Sequence, residues 1–374
     1  MSLPPLPLIN GCLFIDNSGW MEGMSTCHRY LEYKSLHLRI PAAEKPSLNF
    51  GSAQHLMAEL RYVRYQSRPV DDLYFQDLAS IFTEFFEAHP AQSEDWRNVN
   101  WAMEVARRYN SKYLTEDFNL LKYDTPIACP VCKGIGYIVK DKTDTKCPFC
   151  LGSAKREIMV ELPFALPLFT YRGYMNEPQG EVIERTSDNR YLCDIPVFYT
   201  GRIDLPVVID GNIYVMDHKN MSQLGDMFWN EQRMTSQQRG YVWAFQTLTG
   251  KPVHGYMINA IRTKEPPQYV SENTKKGKYT PESWWDESFQ RQRFLIKPFE
   301  LEEWKNNTID LVEEFFWHYS RGCMPMKTKW CSSYGKCPYF DVCLLDSRDR
   351  GQMLASGLFT DNTWSPLNKT MSKQ

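Results

Sequence analysis

Gly201-Arg-Ile-Asp204-Leu-Pro206-Val-Val-Ile-Asp210-Gly211-Asn-Ile-Tyr-Val-Met-Asp217-His218-Lys219 reads as two apolar strands joined by a two-residue turn. Asp-Gly is the strongest short hairpin signal, because both central residues of a type I′ turn need φ > 0. With Asp210-Gly211 as the turn, residue 209 pairs with 212, 208 with 213, and so on outward until 204 faces 217. Directly opposed residues carry Cβ atoms about 4.5–5.5 Å apart, and like charges there destabilise the pair. A divalent cation reverses that sign. Lys219 shares the face of Asp217, since strand side chains repeat every second residue. A lone Asp-x-Lys is more often a surface hairpin with solvated acids. Here Val207, Val208, Ile209, Ile213, Tyr214, Val215 and Met216 surround the acids, which therefore interrupt a buried pattern. Pro206 cannot donate to the ladder and marks where a bulge would shift the register by one.

At 374 residues the chain is long enough for one large domain with insertions, or for two to three small ones. Apolar residues at 43%, with 14% aromatics, support a sizeable core. A formal net charge of −2 provides no global basic field, so any nucleic-acid contact must be local. No apolar run is long enough to span a membrane, and Met-Ser-Leu-Pro-Pro at the start lacks the basic region of a secretory signal. The expected location is the cytoplasm, that of the host if the chain is phage-encoded. There, eleven cysteines are thiols or ligands rather than disulfides.

The hairpin sits among helical and strand patterns. Residues 51–66, 72–90 and 95–118 read as helices, 158–174 and 181–219 as strands, and 237–249 as a helix capped by Thr235 or Ser236. A strand at 253–262 follows, then a polar loop at 264–283 and a helix at 299–320 opened by Pro298. Strands between helical blocks predict an α/β domain around a central mixed sheet flanked by helices. Four consecutive parts result: a helical part at 1–125, a cysteine-rich insertion at 126–155, a core at 156–298 and a C-terminal helix with cysteines at 299–374.

Cys129-Pro-Val-Cys132 and Cys147-Pro-Phe-Cys150 are two identical knuckles. Each delivers two thiolates, and together they make a tetrahedral Zn²⁺ site closed by the hairpin between them. The glycines at 134, 136 and 152 resemble the zinc region of J-domain chaperones, or a zinc ribbon. Cys331, Cys337 and Cys343 form a second set that lacks a fourth ligand, and Cys27 is the best candidate for it. From spacing alone, zinc and an iron–sulfur cluster are equally compatible with that set. Cys323 is an alternative ligand, and Cys12 and Cys193 read as small buried hydrophobes.

These pieces together resemble the RecB-like branch of the PD-(D/E)XK nuclease superfamily, above all its iron–sulfur members, which include AddB-type nuclease domains, CRISPR adaptation nucleases and phage exonucleases. Met24 to Tyr33 is similar to that group's N-terminal cysteine segment, and Gly51-Ser-Ala-Gln-His55 to its Gly-x-x-x-His motif. Gly201-Arg-Ile-Asp204 resembles the Gly-x-x-Asp strand, Asp217-His-Lys219 the (Asp/Glu)-x-Lys strand, and Gln237-Gln-Arg-Gly-Tyr241 the Gln-x-x-x-Tyr helix.

The resemblance implies a restriction-endonuclease-like core carrying a small four-cysteine zinc insertion and a C-terminal cysteine cluster. It implies one or two Mg²⁺ or Mn²⁺ ions held by His55, Asp204, Asp217 and the backbone carbonyl of His218, with Lys219, Gln237 and Tyr241 completing the catalytic set. It also implies a four-iron four-sulfur cluster on Cys27, Cys331, Cys337 and Cys343. The expected activity is hydrolysis of DNA at ends or in single strands, in recombination, repair or phage DNA metabolism, with a helicase or recombinase as partner. Trp284, Trp285, Tyr269 and Tyr279, near Lys275, Lys276 and Lys278, offer stacking surfaces for unpaired bases. The alternative is a non-catalytic DNA-binding or assembly factor built on the metal scaffolds.

Overall fold

The structure is a computed structural model and describes residues 3–43, 46–64, 70–90, 97–129, 133–135, 137–140, 143–147, 153–264, 281–333 and 335–362. The chain opens with β1 (Leu13–Asp16), a π-helical turn, α1 (Glu22–Thr26), α2 (His28–Leu31) and β2 (Arg39–Pro41). Three long helices follow, α3 (Pro46–Arg64), α4 (Asp72–Ala88) and α5 (Val99–Lys112). Short strands β3 (Asn119–Leu120), β4 (Lys122–Ala128), β5 (Tyr137–Lys140), β6 (Thr143–Lys146) and β7 (Lys155–Ile158) lead to longer ones, β8 (Leu162–Met175), β9 (Glu181–Arg185), β10 (Tyr191–Ile203), β11 (Leu205–Ile209) and β12 (Asn212–Met221). Then come α6 (Asp226–Met234), α7 (Ser236–Thr249), β13 (Gly255–Arg262), α8 (Pro281–Ser288), β14 (Phe289–Leu295) and α9 (Pro298–Ser320). The C-terminal part adds α10 (Phe340–Leu344), α11 (Arg350–Leu354) and β15 (Phe359–Asp361).

Contacts group the chain into two units, each assembled from separated segments. The first, residues 44–162 and 203–297, is built on a five-stranded mixed sheet in the order β14-β13-β12-β11-β3. Only β12 and β13 pair in parallel within it. β13 is buried on two faces throughout and β12 over Tyr214 to His218, as parallel neighbours covered by helices must be. Phe50, Met57 and Leu60 of α3, Leu78 and Phe82 of α4 and Ala106 of α5 pack with Leu205, Val207, Met216 and Met257 in one apolar core. Asp71 and Asn98 begin α4 and α5 by accepting backbone N–H bonds from Tyr74 and Trp101, at 2.9 and 3.0 Å. Such caps stabilise by roughly 1 kcal/mol each. Gly250, with φ of 67°, closes α7 in the left-handed conformation that glycine adopts freely.

The second unit, residues 1–43, 163–202 and 298–369, holds a four-stranded sheet in which β10 lies between β1 and β8 and also pairs with β9. β1 runs parallel to β10, so that Leu13 faces Val197 and Ile15 faces Tyr199, all fully buried. Against α9, Trp20 meets Phe315 edge-on at 5.2 Å.

The expected hairpin forms in the expected register. Ile209 pairs with Asn212 and the ladder runs outward to Leu205 opposite Met216; Pro206 faces Val215 without a shift. Asp210 and Gly211 have φ of 50° and 79°, as a type I′ turn requires. Other expectations need correction. The helix expected over 95–118 ends at Lys112, because Asn119 and Leu120 must extend to pair with Val208 and Val207. The strand expected over 158–174 is broken at Glu161, whose φ of 50° no regular strand accommodates. α6 and β14 have no counterpart in the pattern reading. Phe228 is the one buried residue of α6, and β14 is mostly Gln and Arg with only Phe289 and Phe294 buried, so neither carries a strong apolar period. The loop expected at 264–283 lies mainly outside the described residues, and Pro281 already begins α8.

Candidate active site

The β11–β12 ladder stops at the pair before the two acids. In place of a further backbone bond, Asp204 Oδ2 accepts the His218 N–H at 2.8 Å. The side chain has taken the role of a ladder carbonyl, and the strands part where the acids stand. The carbonyl of Asp204 is held from another side, accepting the Glu161 N–H at 2.8 Å. Asp204 and Asp217 are both buried. Burial pushes the Asp204 carboxyl above the usual carboxylate range and Asp217 adds to that, while His55, the His218 N–H and Lys219 pull it back.

His55 arrives from α3, one turn beyond Gly51, whose carbonyl accepts the Asn220 amide of β12 at 3.3 Å. Its Nδ1 lies 3.5 Å from Asp204 Oδ2, and its side chain is about a third exposed. Lys219 and Asp217 share one face, with Nζ 2.7 Å from Asp217 Oδ2. α7 contributes Gln237, whose Oε1 accepts from Lys219 Nζ at 2.7 Å and whose Nε2 donates to Asp217 Oδ1 at 3.4 Å. Tyr241, one turn along α7, is buried. Arg239 turns away and donates to the Met234 carbonyl, as its offset predicts.

The ligand atoms of His55, Glu161 and Asp204 lie within 4.8 Å of one another, the one such group in this unit among the described residues. Asp217 stands beside that group, tied to Lys219 and Gln237, rather than within it. Glu161 is a residue the pattern reading passed over. Its one signal is an acid interrupting Ile158-Met-Val-Glu161-Leu-Pro163, the same anomaly that singled out Asp204. The donor set, carboxylate oxygens with one imidazole, suits Mg²⁺ or Mn²⁺. Asp217 Oδ2 is buried, and the Lys219 ammonium beside it offsets its charge.

Behind the acids, His218 points to the opposite face of β12 and stacks on Tyr62, with ring centroids 5.7 Å apart and nearly parallel planes. Arg291 Nε donates to Asn259 Oδ1 at 3.0 Å, which fixes the amide orientation. Asn259 Nδ2 therefore faces His218 Nδ1 at 2.7 Å and Tyr109 Oη at 2.9 Å. His218 accepts at Nδ1 and carries its proton on Nε2. Burial, with the nearby His55, Arg291, Lys219 and Arg61 charges, holds its pKa well below the ordinary histidine value. Arg291 and the fully buried Arg61 both pair with Glu116. The His218 backbone N–H binds Asp204, and its ring meets the His55 ring edge-on at 6.0 Å between centroids.

The two cysteine sets lie apart from this site in the sequence. Cys129 and Cys147 are fully buried, and β5 and β6 between them form the expected hairpin; Cys132 and Cys150 lie outside the described residues. Cys27 is buried, and Cys337 and Cys343 are half-buried against Tyr33, Tyr339 and Phe359. Burial pushes the Cys343 thiol up, with Arg29 and a Tyr33 hydrogen bond opposing and Cys337 and Cys27 adding to the rise. The Cys337 N–H binds the Cys331 carbonyl at 2.9 Å, and among the described residues no three ligand atoms of this set lie within 4.8 Å of one another. Of the expected stacking residues, Trp285 is buried parallel to Phe289, and Trp284 lies under the Arg262 guanidinium at 4.4 Å. Trp285 is thereby committed to the core and not offered to bases. Tyr269 and Tyr279 lie outside the described residues. No helix among the described residues is long and apolar enough to cross a membrane.

No curated protein matches the chain. A family model described as the PD-(D/E)XK nuclease superfamily matches residues 22–344, which takes in every described element from α1 to α10. With the acids, the lysine and the mixed sheet in place, the chain belongs to the PD-(D/E)XK nuclease superfamily, whose members are phosphodiester-hydrolysing nucleases that use divalent metal ions.

Proposed function

We propose that this chain is a Mg²⁺- or Mn²⁺-dependent deoxyribonuclease of the RecB-like kind, cutting at DNA ends or in single strands, with Asp204, Asp217 and Lys219 at the reacting centre. The single observation that carries the reading is the parting of β11 and β12 at two buried acids, with an ammonium group 2.7 Å from one of them. His55, Glu161 and Asp204 would hold one ion, with Asp217 and the His218 carbonyl bordering it. A divalent ion held there polarises a phosphate and readies a water for attack. Lys219, oriented by Gln237, donates toward the attacking water and offsets the charge that grows on the phosphate oxygens. Asp217 fixes the ammonium position. Gln237 bridges the two through its amide, and Tyr241 supports α7 at that point.

The further parts of the reading rest on the cysteines. Cys27, Cys331, Cys337 and Cys343 would carry a four-iron four-sulfur cluster, and Cys129, Cys132, Cys147 and Cys150 a Zn²⁺ ion. A helicase or recombinase is the partner that this reading would call for.

The test is digestion of linear, single-stranded and covalently closed circular DNA with added Mg²⁺. Linear and single-stranded DNA should be degraded and closed circles spared. Asp217→Ala should abolish cleavage and Lys219→Ala should lower it by on the order of 10²–10³, while circular dichroism remains that of the wild type. Full activity in both variants removes the assigned site. DNA binding without any cleavage by the wild-type chain favours the assembly-factor alternative. Iron content and visible absorption of an anaerobic preparation decide the cysteine assignments separately.

A further inference from the structure

His28, on α2, is fully buried, and neither of its ring nitrogens has a hydrogen-bond partner. An imidazole stripped of water and given nothing in return costs on the order of 1–3 kcal/mol. Two side chains one turn apart on α9 converge on it. The His318 ring lies 4.8 Å from the His28 ring, centroid to centroid, at 61°. Glu314 Oε1 lies 3.7 Å from His318 Nε2. One donor atom from each of the three residues falls within 4.8 Å of the other two. Donors bonded tetrahedrally to Zn²⁺ at roughly 2 Å stand about 3.3 Å apart, so rotamer adjustments of about an ångström close the set.

We propose that His28, Glu314 and His318 form a transition-metal site, taking Zn²⁺ in preference to Mg²⁺, that ties the N-terminal segment to α9. Two imidazoles and one carboxylate form a donor set that favours zinc, nickel or copper over the hard oxygen-seeking ions. Glu314 and His318 lie at i and i+4 and so present their ligand atoms on one helix face. Glu314 is 44% exposed, which gives the ion a path from solvent and leaves a fourth position for water. Beside the site, one backbone bond joins the same two segments, from Arg29 N–H to the Pro325 carbonyl at 3.3 Å. The ion would cross-link residues almost the whole chain apart. The proposal stands without the nuclease assignment and without either cysteine set.

The experiment uses the full chain, stripped of loosely held metal and titrated with Zn²⁺ alone. Metal analysis and thermal melting are compared between the wild type and the double variant Glu314→Gln, His318→Gln. Glu314 is exposed and His318 half-buried, and glutamine is close to both in size, so folding should survive and circular dichroism verifies it. The wild type should retain one more zinc per chain than the variant, and only the wild type should gain the corresponding rise in Tm. Cobalt substitution separates this site from any thiolate site. The cobalt lost in the variant should carry weak d–d bands and no sulfur-to-metal charge-transfer band. His28→Phe should lose the same equivalent of zinc and, without zinc, melt no lower than the metal-free wild type. Equal zinc content and equal zinc-induced shifts in wild type and double variant overturn the proposal and leave His28 and His318 as packed rings only.

Discussion

On one face of β12, Asp217 and Lys219 meet Gln237 through one long hydrogen bond, one short one and one off-angle ion pair. On the other face, His218 enters a chain of buried hydrogen bonds through Asn259, Tyr109 and Arg291 to Glu116. Neighbouring residues of one strand thus belong to opposite regimes. The first face holds charge with incomplete bonding, so it has capacity left for an ion, a water or a phosphate. The second is bonded through, which costs less to keep buried and resists distortion. A strand that must present two charges at fixed positions gains from a back that cannot shift. The difference can be tested by substitution on each face in turn.

The largest effect should come from the under-bonded face. Lys219→Ala is expected to reduce kcat on linear DNA by on the order of 10²–10³, the loss typical of one preorganised donor. Urea unfolding of that variant should match the wild type closely, because the ammonium is partly exposed. A stability loss as large as the kinetic one would place Lys219 with the back of the strand instead.

On the bonded face the order reverses. Arg291→Met leaves Glu116 with Arg61 as its one buried guanidinium partner and strips Asn259 Oδ1 and Tyr109 of a donor. Breaking a buried pair in this way costs about 3–5 kcal/mol, read as a lower urea midpoint. Asn259→Ala should cost less, about 1–3 kcal/mol for the groups left unbonded. Cleavage measured well below each variant's melting temperature should fall less than tenfold. If Asn259→Ala instead abolishes cleavage in a fully folded protein, the two faces are not separable.

The two faces were also unequally legible. The front was readable because its signals are local: Asp210-Gly211 sets the turn, the turn sets the register, and the register places Asp204 across from Asp217. Gln237 and Tyr241 by themselves read as surface residues of a helix, and only the resemblance to the Gln-x-x-x-Tyr motif points to them. The back was not readable, since Arg291, Asn259, Tyr109 and Tyr62 come from four elements and no period in the chain connects them. A polar residue on a strand that reads as core carries no local sign of the partners it bonds. The histidine site was hidden for the same reason. Glu314 and His318 are ordinary helix residues until α2 brings His28 against them.

Glu161 joins both lessons. Its left-handed φ of 50° breaks the strand and brings its N–H to the Asp204 carbonyl, while its carboxylate joins His55 and Asp204. A non-glycine residue in that conformation costs roughly 1–2 kcal/mol, a strain that persists where the surroundings impose it. Two substitutions separate the backbone from the charge. Glu161→Gln keeps the strain and removes one ligand charge, so the Mg²⁺ concentration for half-maximal cleavage should rise by about tenfold, in the range seen when metal-site support is lost, with Tm unchanged. Glu161→Gly removes both and should show the same Mg²⁺ shift with a Tm that is equal or slightly higher. If only the glycine variant alters the Mg²⁺ requirement, the backbone turn positions Asp204 and the carboxylate is incidental. If both variants cleave at wild-type Mg²⁺, the ion is held by His55, the two aspartates and the His218 carbonyl, as the resemblance implied.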